Sequence, residues 1–571
     1  MTDRAFVPHT ARRDAFAFPD ALLEAATRSH ARACALLVAL CLVCFLPGIV
    51  SLQPMDRDEP RFSQASKQML ETGDLIDIRF QEVARHKKPV GIYWAQAAVV
   101  GAAEALGVPN ARTTIGLYRI PSLIGAIAAV LLAYWSALAF LPRRGALLAA
   151  ALFGACVVLS AEARLAKTDA LLCACAVATF GGLARAWLRR DGDRLDKATL
   201  SAFWLGLALG ILIKGPMVPL FCGLPALVLS LRVRSGRWLG ALRLGLGLPL
   251  TLLIVAPWFA AITWKSGGAF YGEAVGHDMM SKVQGGSEKH FAPPGAYLIA
   301  FFGTFWPGAA FAALSAPFAW GHRRDPAIAF LLAWIVPTWI LFEIVPTKLP
   351  HYVLPLFPAI AILTLRALAA GALHPERKGA RLTAGLVVLI PVGLTLGLSA
   401  FAFAYDRTLP FAGLPLLLGA CAVAALAWQA FARGLAERAL ALGIVASMLL
   451  SPAVFGLTQP VIAALKVSPR LAAIRDGLPC PNPRVASLGY REPSFVFLIG
   501  TDLAMLGTGA EAVDFLKGEG CRLVYVEGRF AKSFAEAATA AGLAPNRVGT
   551  VSGFNINGGR AVDLSAYAVT P

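Results

Sequence analysis

The chain has 571 residues, of which 57% are hydrophobic and only 15% charged, with a formal net charge of +18. So large an apolar share excludes soluble domains of ordinary size and makes the bilayer the solvent. The positive charge does not mark a nucleic-acid partner, because Lys and Arg stand in short clusters between long apolar runs, the pattern that sets membrane orientation.

Residues 1–32 contain Arg12, Arg13, Arg28 and Arg32 and carry no small-residue cleavage site. They read as a cytoplasmic segment ahead of an uncleaved anchor. Crossing ~30 Å of hydrocarbon takes about 20 apolar residues. On that measure there are thirteen candidate spans: 33–52, 118–141, 145–161, 165–188, 199–216, 217–231, 244–263, 296–319, 326–345, 351–370, 382–404, 411–431 and 439–462. The third, fifth and sixth are short. Arg143 and Arg144, Arg185 to Lys197, Arg232 to Arg243, Arg323 and Arg324, Arg377 to Arg381, and Arg433 and Arg438 fall at every second connection. These are the cytoplasmic loops of a multi-pass protein. The expected fold is mainly α, a polytopic bundle over 33–462 with outer loops at 53–117 and 264–295. A small α/β domain at 463–571 follows on the outer side of the membrane.

The first outer loop opens Asp58-Glu59-Pro60-Arg61-Phe62. Pro60 suits the first turn of a helix running to about Glu71 and stopped by Gly73, which puts Asp58 and Glu59 at its N-terminus. There the carboxylates either complement the helix dipole or do chemistry. Further on, His86-Lys87-Lys88-Pro89 precedes Tyr93-Trp94, which reads as an interfacial helix or as a phosphate clamp built on Lys88.

Charges at the edges of apolar segments are functional candidates, since an unpaired one is expensive there. Glu162, Arg164, Lys167 and Asp169 interrupt the third connection. Lys214-Gly215-Pro216 lies between the fifth and sixth spans, and Glu343 with Lys348-Leu349-Pro350-His351-Tyr352 between the ninth and tenth. The alternative for each Lys is snorkelling to the interface. Against it, Asp58, Lys88, Asp169, Lys214, His290 and Lys348 all fall on the non-cytoplasmic side, where cations are normally depleted. Such a set suits a phosphate-bearing lipid. The other outer loop holds Gly276-His277-Asp278 and Lys289-His290, with His277 and His290 as candidates for shaping acceptor entry or as plain loop histidines.

The region from 463 shows strand-like runs at 484–489 and 521–526 and helical patterns at 509–517 and 531–541. Of ten cysteines, eight lie in or beside apolar spans as small hydrophobes. Cys480 and Cys521 are the two in the outer region and form the natural disulfide pair if the compartment is oxidising. No Gly-rich strand-to-helix phosphate motif is present, and no cytoplasmic segment is large enough for a sugar-nucleotide domain.

Taken in order, Asp58-Glu59-Pro60-Arg61-Phe62, Lys88-Pro89 with Tyr93-Trp94, Lys167-Thr168-Asp169, Lys214-Gly215-Pro216 and Lys348-Leu349-Pro350-His351-Tyr352 resemble the bacterial 4-amino-4-deoxy-L-arabinose transferases that modify lipid A. These stand with the protein O-mannosyltransferases in the GT-C class of membrane glycosyltransferases. The resemblance covers about residues 33–370, and the remainder by layout. One departure is Lys87, where that family commonly has Glu before the Lys-Pro pair.

The resemblance implies an inverting transfer from a polyprenyl (undecaprenyl) phosphate-linked sugar to lipid A or other lipopolysaccharide, at the periplasmic face of the bacterial inner membrane. It calls for no cofactor; a divalent cation is the one candidate. Asp58, Glu59 and Asp169 are then the expected catalytic carboxylates, with Asp58 a general base if the acceptor is a hydroxyl. Arg61, Lys88, Lys167, Lys214, Lys348 and Tyr352 are the expected substrate and phosphate ligands. Two other readings are transfer to Ser or Thr of exported proteins, and a polyprenyl-lipid transporter. The gathering of charge at one face disfavours the transporter.

Overall fold

A computed structural model describes residues 17–55, 58–189, 194–281 and 291–569. The chain is mainly helical. Nine helices among the described residues are long and apolar enough to cross a membrane: Ile115–Ala137, Asp169–Leu188, Lys197–Lys214, Leu244–Ser266, Pro326–Ile344, Pro350–Ala369, Ala380–Asp406, Leu414–Ala432 and Ala436–Val461. Each coincides with one of the thirteen apolar runs.

The other four runs take different forms. The first is the 16-residue helix His30–Phe45 and the sixth the 17-residue helix Met217–Val233. The third is broken into Arg143–Gly154 and Val157–Glu162, with Cys156 extended between them. The eighth is broken into Ala296–Thr304 and Ala309–Gly321 around Pro307, which cannot donate to an α-helical ladder. Hydropathy registers an apolar run but not a break inside it. The bundle's largest buried cluster includes Trp187, Phe180, Trp334, Phe330, Phe305 and Phe357, with Phe180 stacked on Trp334 at 4.0 Å.

The helix Asp58–Thr72 lies outside the spans and ends at Gly73, whose φ of +72° is the left-handed conformation that favours glycine at a helix C-terminus. The C-terminal region holds a five-stranded mixed sheet. Its central strand Arg522–Glu527 pairs in parallel with Arg484–Leu488 and antiparallel with Arg560–Val569. The strands Ala504–Leu506 and Asn546–Asn555 form the two edges.

Helices Gly509–Leu516 and Ala531–Ala540 cover one face of the sheet through Leu516, Val513 and Phe534. The sheet region is seated on the outer helix Asp58–Thr72. Lys67 donates to Phe497 O at 3.3 Å, Gln64 to Thr501 Oγ1 at 2.7 Å, and Gln81 to Thr501 O and Leu503 O at 3.0 and 2.9 Å. Burial lowers the pKa of Lys67 from its ordinary value, opposed by Glu71 at 3.7 Å.

Candidate functional site

The N-terminus of the helix Asp58–Thr72 is anchored by a buried ion pair. Glu59 and Arg119 have wholly inaccessible side chains, with Arg119 Nε to Glu59 Oε1 at 2.7 Å and Nη2 to Oε2 at 3.0 Å. The remaining guanidinium donors reach the carbonyls of Ile49 and Leu52, at 2.8 and 2.9 Å, and of Gln53 at 2.8 Å. Glu59 in turn accepts the backbone N–H groups of Met55 at 2.6 Å and Ala166 at 2.9 Å. A buried pair is tolerable only when its remaining donors and acceptors are satisfied, and these are satisfied by two separate stretches of backbone, 49–55 and Ala166. Glu59, the second expected catalytic carboxylate, therefore holds Asp58 and the 162–169 turn in one frame, its own carboxylate enclosed by these partners.

That turn gathers several charges at one end of the bundle's helices. Lys167 Nζ lies 3.3 Å from Glu162 Oε1, and Lys214 is hydrogen-bonded to Asp169. His351 sits between the two carboxylates, its Nδ1 3.3 Å from Glu162 Oε1 and its Nε2 3.6 Å from Asp169 Oδ2. Local structure explains the convergence. Asp169 opens the span Asp169–Leu188 and Lys214 closes the span Lys197–Lys214, each at the helix end its charge suits. Gly215, at φ +60°, turns the chain away immediately after Lys214. The short helical turn Pro350–Leu356 brings His351 and Tyr352 across, with Lys214 Nζ 5.3 Å from the centre of the Tyr352 ring.

Glu162, Asp169 and His351 offer ligand atoms within 4.8 Å of one another and are of the right type for a divalent cation. Lys167 and Lys214 already lie against these two carboxylates, while Glu162 Oε2 is buried without a hydrogen-bond partner among the described residues, so Glu162, Asp169 and His351 are the side chains that would hold a cation.

A second pair lies nearby. Lys88 donates to Asp278 Oδ2 at 2.7 Å and to Lys87 O at 3.0 Å. Asp58, Asp169 and Asp278 all lie within electrostatic reach of the Tyr352 hydroxyl. Asp58 and Arg61 are partly buried.

Of the expected ligands, the structure joins Lys167, Asp169, Lys214 and Tyr352 directly. Lys348 is close in sequence, but its ammonium donates to the carbonyls of Ala292 and Val345, both at 2.9 Å, and so fastens the second outer loop. His277 is exposed and 3.9 Å from Glu273, apart from this cluster. His290 lies outside the described residues. Cys480 and Cys521 are joined by a disulfide, Cα atoms 6.3 Å apart, in the sheet region.

Glu162 stood among the charges at the edges of apolar runs without an assigned role, while Arg119 and Asp278 were given none. Their partners are 5, 60 and 190 residues away. Arg119, a charge near the start of the second apolar run, carries the same signal that singled out Glu162.

No family model matches the chain. Among curated proteins it is 28% identical over 316 residues to the undecaprenyl phosphate-alpha-4-amino-4-deoxy-L-arabinose arabinosyl transferase 1 of Pseudomonas fluorescens, covering 54% of each. It is 28% identical over 347 residues to the corresponding transferase of Pseudomonas paraeruginosa, covering 58% of this chain and 59% of that one. The matched stretch thus spans a little over half the length of these relatives. In three dimensions the chain superposes on ArnT from Cupriavidus metallidurans bound to undecaprenyl phosphate with a TM-score of 0.72 at 18% identity, over 94% of this chain and 97% of that one. In fold along most of its length, and in sequence over more than half of it, the chain resembles the membrane-embedded GT-C glycosyltransferases of the aminoarabinose type.

Proposed function

We propose that the chain is a polyprenyl-phosphate-sugar-dependent glycosyltransferase. It moves 4-amino-4-deoxy-L-arabinose or a closely related sugar from undecaprenyl phosphate to lipid A or other lipopolysaccharide, by inverting displacement at the anomeric carbon. Thirteen crossings with a cytoplasmic N-terminus would place the charge cluster and the sheet region in the periplasm.

The observation that carries this reading is the cluster Glu162–Lys167–Asp169–Lys214–His351–Tyr352, built from the same motifs that carry the sequence resemblance. A phosphate leaving group departs at neutral pH once its developing charge is stabilised, so the protein's work is electrostatic and positional. Lys214 and Lys88 are held by Asp169 and Asp278 until a lipid phosphate competes for them, and Tyr352 contributes a hydroxyl beside them. Arg61 lies on the first turn of the helix that Glu59 fixes in place and serves the same phosphate. Asp58 orients and stabilises the acceptor when that acceptor is a lipid A phosphate, which needs no deprotonation. It acts as general base when the acceptor is a hydroxyl.

The test is mass spectrometry of lipid A from cells carrying the wild-type chain, a deletion, or the deletion complemented with Asp58→Ala. The proposal expects one glycan mass to be present with the wild type and absent from the other two. An unchanged lipid A profile in the deletion overturns it.

A further inference from the structure

We propose that a polar cavity between the sheet region and the first outer loop is a subsite for a hydrogen-bond-donating substituent, hydroxyl or amine, of a saccharide. The inference rests on the transferase reading and adds a binding element to it. The cavity has a volume of about 40 Å³ and is walled on one side by Gln53, Pro54 and Met55. On the other side stand Ser468, Tyr490, Glu492, Ser494 and Asn555. A single water needs about 10–15 Å³ measured this way, so the space accommodates about three non-hydrogen atoms: a sugar substituent, not a whole lipid.

Three observations give the ligand its class. Among the described lining residues the charged group is the carboxylate of Glu492, which disfavours a phosphate and admits a neutral or cationic group. The polar groups are held rigidly. Glu492 accepts from Asn555 at 2.8 Å and from Asn557, while the Ser468 hydroxyl lies 2.8 Å from that of Ser494 and 3.0 Å from that of Tyr490. Gln53 is buried and gives its Nε2 to Leu465 O at 3.3 Å, but its Oε1 has no hydrogen-bond partner among the described residues. A buried acceptor left unmatched is destabilising, and a ligand hydroxyl or ammonium group is the donor that would relieve it. Tyr490 and Phe554 add aromatic surface to this wall, with Phe554 packed against Phe401 and Tyr405.

Position links the cavity to the chemistry. The 53–55 segment that lines it is the segment that Arg119 and Glu59 grip from behind, through Gln53 O and Met55 N–H. An occupant would therefore press on the backbone immediately ahead of Asp58. Two sugars pass through such an enzyme, that of the donor and that of the acceptor, and either could present the substituent.

The experiment uses the full chain in nanodiscs, as wild type, Ser494→Leu to fill the cavity, and Glu492→Gln with the side-chain volume kept. Transfer kinetics are measured with donor and acceptor varied separately, and binding of the deacylated glucosamine disaccharide of lipid A is followed by titration calorimetry. Expected is a rise of about fivefold or more in KM for the acceptor, with kcat unchanged and disaccharide binding lost in Ser494→Leu. A rise confined to the donor's KM assigns the cavity to the donor sugar. Unaltered KM for both substrates together with unaltered disaccharide binding overturns the inference. If the wild type transfers nothing yet binds the disaccharide in a manner Ser494→Leu abolishes, the transferase reading fails and the subsite stands.

Discussion

Replacing Arg119 by Met removes five hydrogen bonds at once and strands Glu59 as a wholly buried carboxylate. Breaking a buried pair from one side costs about 3–5 kcal/mol, a large part of the ~5–15 kcal/mol available to a folded protein. Glu59→Leu strands the guanidinium instead and costs a similar amount. The double variant leaves no unpaired charge, only the freed N–H groups of Met55 and Ala166 and the carbonyls of Ile49, Leu52 and Gln53. Its loss should therefore fall short of the sum of the single losses by about 2 kcal/mol or more.

Denaturant titration of the detergent-solubilised protein measures this cycle. Transfer rate provides the second readout: the double variant recovers folding but not turnover, because nothing then ties Asp58 to the 162–169 turn. Additive single losses, or full turnover in the double variant, would refute the role assigned to this pair.

Asp169→Asn leaves Lys214 and Lys167 facing one carboxylate instead of two; it should reduce kcat at least about 100-fold while lowering thermal stability by only a few degrees, as activity and melting assays together would report. Reduction or Cys521→Ser opens a loop with a sequence separation of 41 residues, worth about 4 kcal/mol by chain entropy. Alkylation with and without reductant should shift the electrophoretic mobility of the wild type and leave Cys521→Ser unchanged. Burial alone would raise the pKa of Asp74, but the hydrogen bond from Lys265 and the N–H groups of Ile76 and Asp77 outweigh it and hold the carboxyl below its ordinary value. A depressed folded value stabilises above the unfolded pKa of about 4 and ceases to as pH falls through the folded one. Asp74→Asn should thus cost under about 1 kcal/mol at pH 7, a difference that shrinks as pH falls below about 4, measured as the difference in denaturation midpoint.

The elements of the candidate site were legible where chemistry is written into one short stretch. Lys167-Thr168-Asp169, Lys214-Gly215-Pro216 and the Pro350-His351-Tyr352 turn each place charge or hydroxyl at a helix end, and helix ends on one side of a bundle are where loops meet. What pairs with what was not legible. Lys88 finds Asp278 and Glu59 finds Arg119 across 190 and 60 residues, and no local pattern encodes such partners.

Glu59 shows the same limit from the other direction. Beside Asp58 at a helix N-terminus it reads as a second catalytic acid, yet the helix turns consecutive side chains about 100° apart, and Glu59 points into the interior where Arg119 waits. The apolar runs located the helices well, but the breaks at Cys156 and Pro307 depend on packing that hydropathy does not sense.

Transfer of a lipid-linked sugar to lipid A, as proposed, is measured by incubating the purified full chain in liposomes with undecaprenyl phosphate-4-amino-4-deoxy-L-arabinose and lipid A, then determining the product's mass and anomeric configuration. Lipid A should gain one sugar with inverted configuration at the anomeric carbon, and Asp58→Ala should give no product. Equal amounts of product from wild type and Asp58→Ala, or none from the wild type with this donor and related polyprenyl-phosphate sugars, would rule the proposal out.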